Sequence, residues 1–194
     1  TTLPLTQLSY GLVECVKHGA IADPAYFKFI FKNREAIKSK DLSLLQRLVR
    51  RSLNIKKNVV EEDELEKGKR AVLNLGHTFG HALEVLGEYR RFHHGEAVGL
   101  GMLMALQASL ELEILKEDYS DSLREFLIDF NLPTRIPREF EPEALLQAML
   151  RDKKRGAERL TLVLPVTLGK VDLHPIPADE LLDLLRPVFS NMCQ

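Results

Sequence analysis

The chain has 194 residues, 45% of them apolar and 28% charged, with 27 lysines and arginines against 28 aspartates and glutamates for a net charge of -1. A chain of this length can bury roughly 70% of its unfolded surface, so a single domain over residues 1–194 is expected. The balanced charge gives no basic footprint for nucleic acid or an anionic membrane surface, the longest apolar run is too short and too glycine-rich to span a bilayer, and no leader pattern opens the chain. Two cysteines, Cys15 and Cys193, make no disulfide framework. A soluble protein of the reducing cytoplasm is the expectation.

In chain order, Leu5 to Ile21 has a helical pattern, with Thr6 placed to cap it and Gly19 near its end. Tyr10, Glu14, Lys17 and Ile21 share one stripe of that helix, so a carboxylate and an ammonium lie on a half-apolar face. An ordinary i, i+3 surface ion pair would look the same. Asp23-Pro24 is a helix start, aspartate capping and proline in the first turn, and the aromatic run that follows reads as packing. Leu42 to Val60 is a long helix whose buried stripe is read as Leu42, Leu45, Val49, Leu53 and Val60. Lys56 falls on that stripe, where it either snorkels to solvent or points into a pocket. A charged connection, EEDELEKGK, covers Glu61 to Lys69.

The most unusual stretch is Leu73 to Gly101, which holds four of the six histidines. If Arg70 to Leu86 is one helix, Arg70, Asn74, His77, His81 and Glu84 fall on one face and Val72, Leu75, Phe79, Leu83 and Leu86 on the other. The small Gly76 and Gly80 would let another group come close. The next helix, Ala97 to Leu110, is apolar nearly all round and therefore buried, with His94 at its mouth. Two histidines so placed can converge on one metal or simply satisfy buried hydrogen bonds, and sequence spacing leaves both readings open.

Further on come a helix from Ser120 to Asn131 and another beginning near Pro142, ending in Arg151-Asp152-Lys153-Lys154-Arg155-Gly156. Those cations either complement the helix dipole or form an anion site. Leu160 to Leu173 is the one convincing strand signal, a β-hairpin with Gly169 at its turn, and a last helix is expected over Ala178 to Phe189. Seven or eight helices and one hairpin make the fold mainly α. The chain has no G-x-G-x-x-G after a strand, no Walker motif, no G-x-S-x-G and no C-x-x-C. HTFGH lacks the glutamate of the zinc-protease motif, since Thr78 stands in its place.

Four segments together resemble one family, the 3-dehydroquinate synthases: GLVECVKHGAIADP (Gly11 to Pro24), the run from Lys56 through LNLGHTFGHALE (Leu73 to Glu84), HGEAVGLGM (His94 to Met102), and DKKRG (Asp152 to Gly156) before a hairpin. The resemblance covers essentially the whole chain and implies the family's helical, metal-binding C-terminal domain, with a Rossmann-like NAD domain expected to lie outside this chain. It implies that Glu14, His77 and His94 are ligands of a divalent metal, zinc or cobalt. It likewise implies that Lys17, Lys56, Arg70, Asn74, His81 and one or both of Lys153 and Lys154 contact substrate, that Glu66 is an acidic site residue, and that His81, Lys17 and Glu66 have catalytic roles. Leu65 departs from the family's usual arginine. The implied reaction turns 3-deoxy-D-arabino-heptulosonate 7-phosphate, a sugar phosphate, into 3-dehydroquinate and phosphate, an early step of the shikimate pathway towards chorismate and the aromatic amino acids. NAD is used catalytically, and a homodimer is implied for the full-length enzyme. Other sugar phosphate cyclases, such as 2-deoxy-scyllo-inosose synthases, resemble the same scaffold, as more remotely do metal-dependent alcohol dehydrogenases. The Asp152-Lys153-Lys154 run and the Lys17-His18-Gly19 context favour dehydroquinate synthase. A non-catalytic helical remnant is the reading from another class.

Overall fold

A computed structural model describes residues 2–63, 68–151 and 158–193. Within them the order is α1 (Leu5–Ala22), α2 (Pro24–Lys32), α3 (Arg34–Lys38), α4 (Leu42–Glu62), a 3-10 helix (Lys69–Asn74), α5 (His77–Leu86), α6 (His94–Glu111), α7 (Ser120–Asp129), α8 (Pro142–Arg151), β1 (Arg159–Thr167), β2 (Lys170–Pro177) and α9 (Leu181–Met192). The mainly α fold with one hairpin is as expected, although nine α-helices are described against seven or eight expected. No described helix is long and apolar enough to cross a membrane.

The architecture is built around α6. Its sequence offers no polar face, and it is buried from Ala97 to Ala108 apart from Gln107. Helices α1, α5, α7 and α9 and strand β1 pack around it. The hairpin is antiparallel, Leu160 pairing with Ile176 and Leu164 with Asp172, with an irregularity between Pro165 and Thr167. Its two-residue turn needs the left-handed backbone of Gly169, at φ 86°. That turn docks on the first helix, the Gly169 amide donating to the Ala20 carbonyl at 2.9 Å.

Four sequence readings are corrected. Arg70 to Leu86 is not one helix: it breaks at Leu75 and Gly76, where Gly76 adopts φ +78°. A side chain there would meet the Val98 carbonyl oxygen at 2.8 Å and Met102 at 2.7 Å, so the chain turns sharply against α6 before α5 begins. Thr6 is not the N-cap of α1, which starts at Leu5 after Pro4 without a side-chain cap. The last helix starts at Leu181, not Ala178. The buried stripe of α4 is Leu44, Leu48, Ser52 and Ile55, whereas Leu42, Val49 and Leu53 are more than half exposed. Apolar residues lie along two stripes of α4, and polar anchors select between them. Tyr26 donates its hydroxyl to the Leu48 carbonyl at 2.7 Å, and His18 Nδ1 lies 2.7 Å from Ser52 Oγ in the buried seam against α1. The Asp23 cap is as read, accepting from the Tyr26 amide at 2.9 Å. Asp23 also takes a bidentate pair from Arg51, which ties the start of α2 to α4.

Helices α5 and α6 touch through backbone. A Cβ on Gly80 would lie 3.0 Å from the Ala97 carbonyl oxygen, and one on Gly101 would overlap the Gly76 carbonyl oxygen. Overpacking against backbone leaves little room to relax. Gly101→Ala is therefore expected to destabilise the protein by about 3 kcal/mol in urea unfolding. Gly11→Ala, where nothing lies within 4 Å of the added carbon, should be neutral or stabilising by about 0.5–1 kcal/mol, as expected for glycine in a helix interior. Equal effects of the two substitutions would contradict the close-approach argument.

Candidate functional site

The break at Gly76 makes His77 the first residue of α5, and the glycine seam sets that residue beside the start of α6. The rings of His77 and His94 come within 5.3 Å between centroids, those of His77 and His81 within 5.5 Å, and those of His81 and His94 within 5.9 Å. Helix α1 brings Glu14 from the other side, its Oε1 3.7 Å from His77 Nε2. One donor atom from each of Glu14, His77 and His94 lies within 4.8 Å of the other two.

The chemistry of this donor set fits a divalent metal. Glu14 Oε1 is buried and has no hydrogen-bond partner among the described residues, a costly state for a carboxylate oxygen unless something positive is bound there. His77 Nδ1 faces the Leu75 carbonyl at 3.2 Å, which selects the tautomer with its proton on Nδ1 and frees Nε2 as a donor. Two imidazoles and one carboxylate are a ligand set from which catalytic zinc sites are made, with a fourth position left for substrate or water.

Burial and charge tune these groups. Burial pushes the Glu14 carboxyl up, but Lys17, with His77 and His18, outweighs it and holds the acid below its usual range. Lys17 Nζ lies 2.8 Å from Glu14 Oε2. The expected i, i+3 pair is thus present, but it is not an ordinary surface pair, because the lysine is only 3% exposed. Burial is the main cause pulling Lys17 below its ordinary value, Glu14 opposing and Lys56 adding to it. His77 is lowered to about 4 by burial first and by Lys17 second.

Two cavities meet at Asn74 and His77. A cleft of about 210 Å³ is lined by Glu14, Lys17, His18, Lys56, Arg70 and Asn74. A larger one of about 500 Å³ is lined by His77, Thr78, His81, Glu84 and the inner face of the hairpin at Thr161 and Val163. Lys17, Lys56 and Arg70 thus line one cavity and His81 the other, with Asn74 on both. Lys56 lines the cationic cleft and is at the same time solvent-exposed, as is Leu53 before it on the helix. Glu66, Lys153 and Lys154 lie outside the described residues, as do Leu65 and the rest of the basic run after Arg151. Sequence reasoning passed over His18, whose buried ring adjoins the cationic cleft, and gave Glu84 no role. The Lys17-His18 pair in a half-apolar helix and the i, i+3 step from His81 to Glu84 were the available signals.

Fold and site define a helical domain with a three-donor centre between a cationic cleft and a deeper mixed cavity. The chain belongs to the family described as 3-dehydroquinate synthase C-terminal, whose match covers residues 11–155. It is 44% identical over 179 residues to the 3-dehydroquinate synthase of Xanthomonas oryzae pv. oryzae (strain MAFF 311018), covering 90% of this chain and 48% of that protein. To the 3-dehydroquinate synthase of Xylella fastidiosa (strain M12) it is 41% identical over 195 residues, covering 98% and 52%. The chain therefore spans about half the length of the curated relatives it matches. Among solved structures it resembles the 2-epi-5-epi-valiolone synthase of Streptomyces hygroscopicus subsp. jinggangensis with NAD+ and Zn2+ bound, with TM-score 0.82 and 18% identity over 98% of this chain and 53% of that one. It also resembles a 2-deoxy-scyllo-inosose synthase complexed with carbaglucose-6-phosphate, NAD+ and Co2+, with TM-score 0.78 and 24% identity over 95% and 53%. At these identities the likeness shows the fold.

The buried histidines make stability depend on pH. Burial lowers His18 to about 4 from 6.5, so the unfolded chain binds a proton in that interval that the folded chain does not. Stability is complete above pH 6.5 and falls as pH drops towards 4, by up to about 1.4 kcal/mol per pH unit for one proton. His18→Asn, which keeps a polar partner for Ser52, is expected to remove roughly 3 kcal/mol of that acid-side loss. Urea unfolding at pH 7, 5.5 and 4 checks this, and an unchanged pH profile would show that His18 is not protonated on unfolding.

Proposed function

We propose that this chain is the metal- and substrate-binding half of a 3-dehydroquinate synthase, a carbon-oxygen lyase that converts 3-deoxy-D-arabino-heptulosonate 7-phosphate to 3-dehydroquinate and phosphate in the cytoplasm. The observation that carries the reading is the buried, unpartnered Oε1 of Glu14 facing His77 Nε2 at 3.7 Å, in a chain at least 41% identical to proteins of that name. Glu14, His77 and His94 would hold a zinc or cobalt ion, which when bound supplies Lewis acidity towards substrate oxygens and lowers the pKa of a hydroxyl there. NAD would be held by residues outside this chain, in a Rossmann-like domain, and supplies a reversible hydride acceptor. The full-length enzyme would be a homodimer.

The remaining work falls to this chain's own side chains. Lys17, Lys56 and Arg70 offer the cations that a substrate with a carboxylate and a phosphate requires, and the family resemblance gives one or both of Lys153 and Lys154 the same role. The ion pair with Glu14 holds the buried Lys17 side chain in place and opposes the burial that lowers its pKa. Asn74 stands between the two cavities, where its amide can donate to a ring oxygen. His81, one turn beyond His77 on α5, is the group for moving a proton or holding the phosphate on the far side, and the family resemblance gives Glu66 an acidic role. The identities of 41–44% to dehydroquinate synthases support this reaction over that of the other cyclases.

Two measurements test the reading. Calorimetric titration with zinc should give one site per chain, lost in Glu14→Ala and in His77→Ala; binding undiminished in both would refute the ligand assignment. The 194 residues alone should release no phosphate from the heptulosonate phosphate with NAD present. Mixing with the separately produced part of the Xanthomonas relative that this chain does not match should restore release, and Lys56→Ala should then lower kcat/KM by about 100-fold, as for a lost charged substrate contact of about 3 kcal/mol. Release by the unmixed chain would contradict the division of labour.

A further inference from the structure

Two donor sets overlap at His94. Besides Glu14, His77 and His94, one donor atom each from His81, Glu84 and His94 also falls within 4.8 Å of the other two. We infer that Glu84 is not the ligand of an ion in that second set but the positioning residue that fixes the ring of His94 for an ion in the first. This rests on the metal reading proposed above.

Glu84 turns both carboxylate oxygens to one nitrogen, Oε1 at 3.3 Å and Oε2 at 3.5 Å from His94 Nδ1. Its side chain is only 12% exposed, whereas that of His94 is 51% exposed. A largely buried carboxylate thus holds a ring that the solvent side leaves loose. A histidine whose Nδ1–H donates to a carboxylate presents its Nε2 lone pair outward in one orientation and is a more basic ligand for it. His77 is fixed in the corresponding way by a backbone carbonyl, through Nδ1 and the Leu75 oxygen. The two imidazoles of the first set therefore share one pattern, Nδ1 held by the protein, with the acceptor differing.

The second set is the poorer cradle for an ion. Two of its three members, His81 and His94, are exposed, while the first contains the orphaned oxygen of Glu14. A metal on Glu84 would also take the acceptor away from His94 Nδ1. The location of Glu84 beside the first turn of α6 is favourable in itself, since a helix N-terminus stabilises a neighbouring negative charge. Position 84 is two turns from His77 on α5, so the helix that supplies one ligand also supplies the support of the next.

The test is cobalt binding, followed by calorimetry and by visible absorption of the bound ion, in the wild-type chain and in Glu84→Gln, Glu84→Ala and His81→Ala, with circular dichroism to check folding. Glu84→Gln keeps an oxygen that accepts from Nδ1–H, so its affinity should stay within a few-fold of wild type. Glu84→Ala should lose about tenfold to 100-fold with a changed visible spectrum, and His81→Ala should bind as the wild type does. Equal affinity and spectrum for Glu84→Ala and wild type would overturn the inference. So would loss of binding in both Glu84→Gln and His81→Ala, which would make Glu84 a ligand of the second set. A wild-type chain that binds no cobalt would sink the metal reading itself and this inference with it.

Discussion

The site depends on how closely α5 and α6 approach. Their backbones touch where a side chain on Gly76, Gly80 or Gly101 would collide with a carbonyl or with Met102. That contact brings the first residue of α5 and the first residue of α6, both histidines, to 5.3 Å between ring centroids. A wider interface of ordinary side chains would place the helix axes 8–10 Å apart and carry the two imidazoles away from a common ion. The left-handed turn at Gly76 serves the same end, because it starts α5 at the residue that must face Glu14.

The second constraint is electrostatic. A chain with net charge -1 has no overall field to attract the anionic substrate proposed for it, so any such attraction would have to be local. Helix α1 is the means: it buries Lys17 beside Glu14, and α4 and the 3-10 helix add Lys56 and Arg70 to the same cleft. Burying that pair is unfavourable unless both charges are matched. Lys17 satisfies one oxygen of Glu14 and leaves the other for a further positive partner. A half-buried acid with one neutralised oxygen and one buried oxygen left without a partner among the described residues is the electrostatic counterpart of a site with one position open.

Much of this was legible from sequence. The His77/His81 spacing, the all-apolar run after His94, the Asp23 cap and the hairpin with Gly169 at its turn are local signals, and each is found in the structure. The resemblance gathered Glu14, Lys17, Lys56, Arg70, Asn74, His77, His81 and His94, which do converge. What failed was set by tertiary contacts. The helix break at Leu75 and Gly76 comes from α6 pressing on the backbone, which periodicity within Arg70 to Leu86 cannot register. The wrong stripe on α4 followed from counting Leu42, Val49 and Leu53 as core when Tyr26 and His18 bind the adjacent face. Glu84 was visible on the polar face, but its meaning needs His94 beside it, ten residues away across a loop.

The central claim is that one ion is held between α1, α5 and α6 by Glu14, His77 and His94. The most direct measurement is anomalous diffraction at the cobalt edge from crystals of the chain grown with cobalt. The account predicts a single peak within coordination distance of those three side chains, with Glu84 still against His94 Nδ1. A peak on His81, Glu84 and His94, or ordered protein with no peak in this cluster, would contradict it.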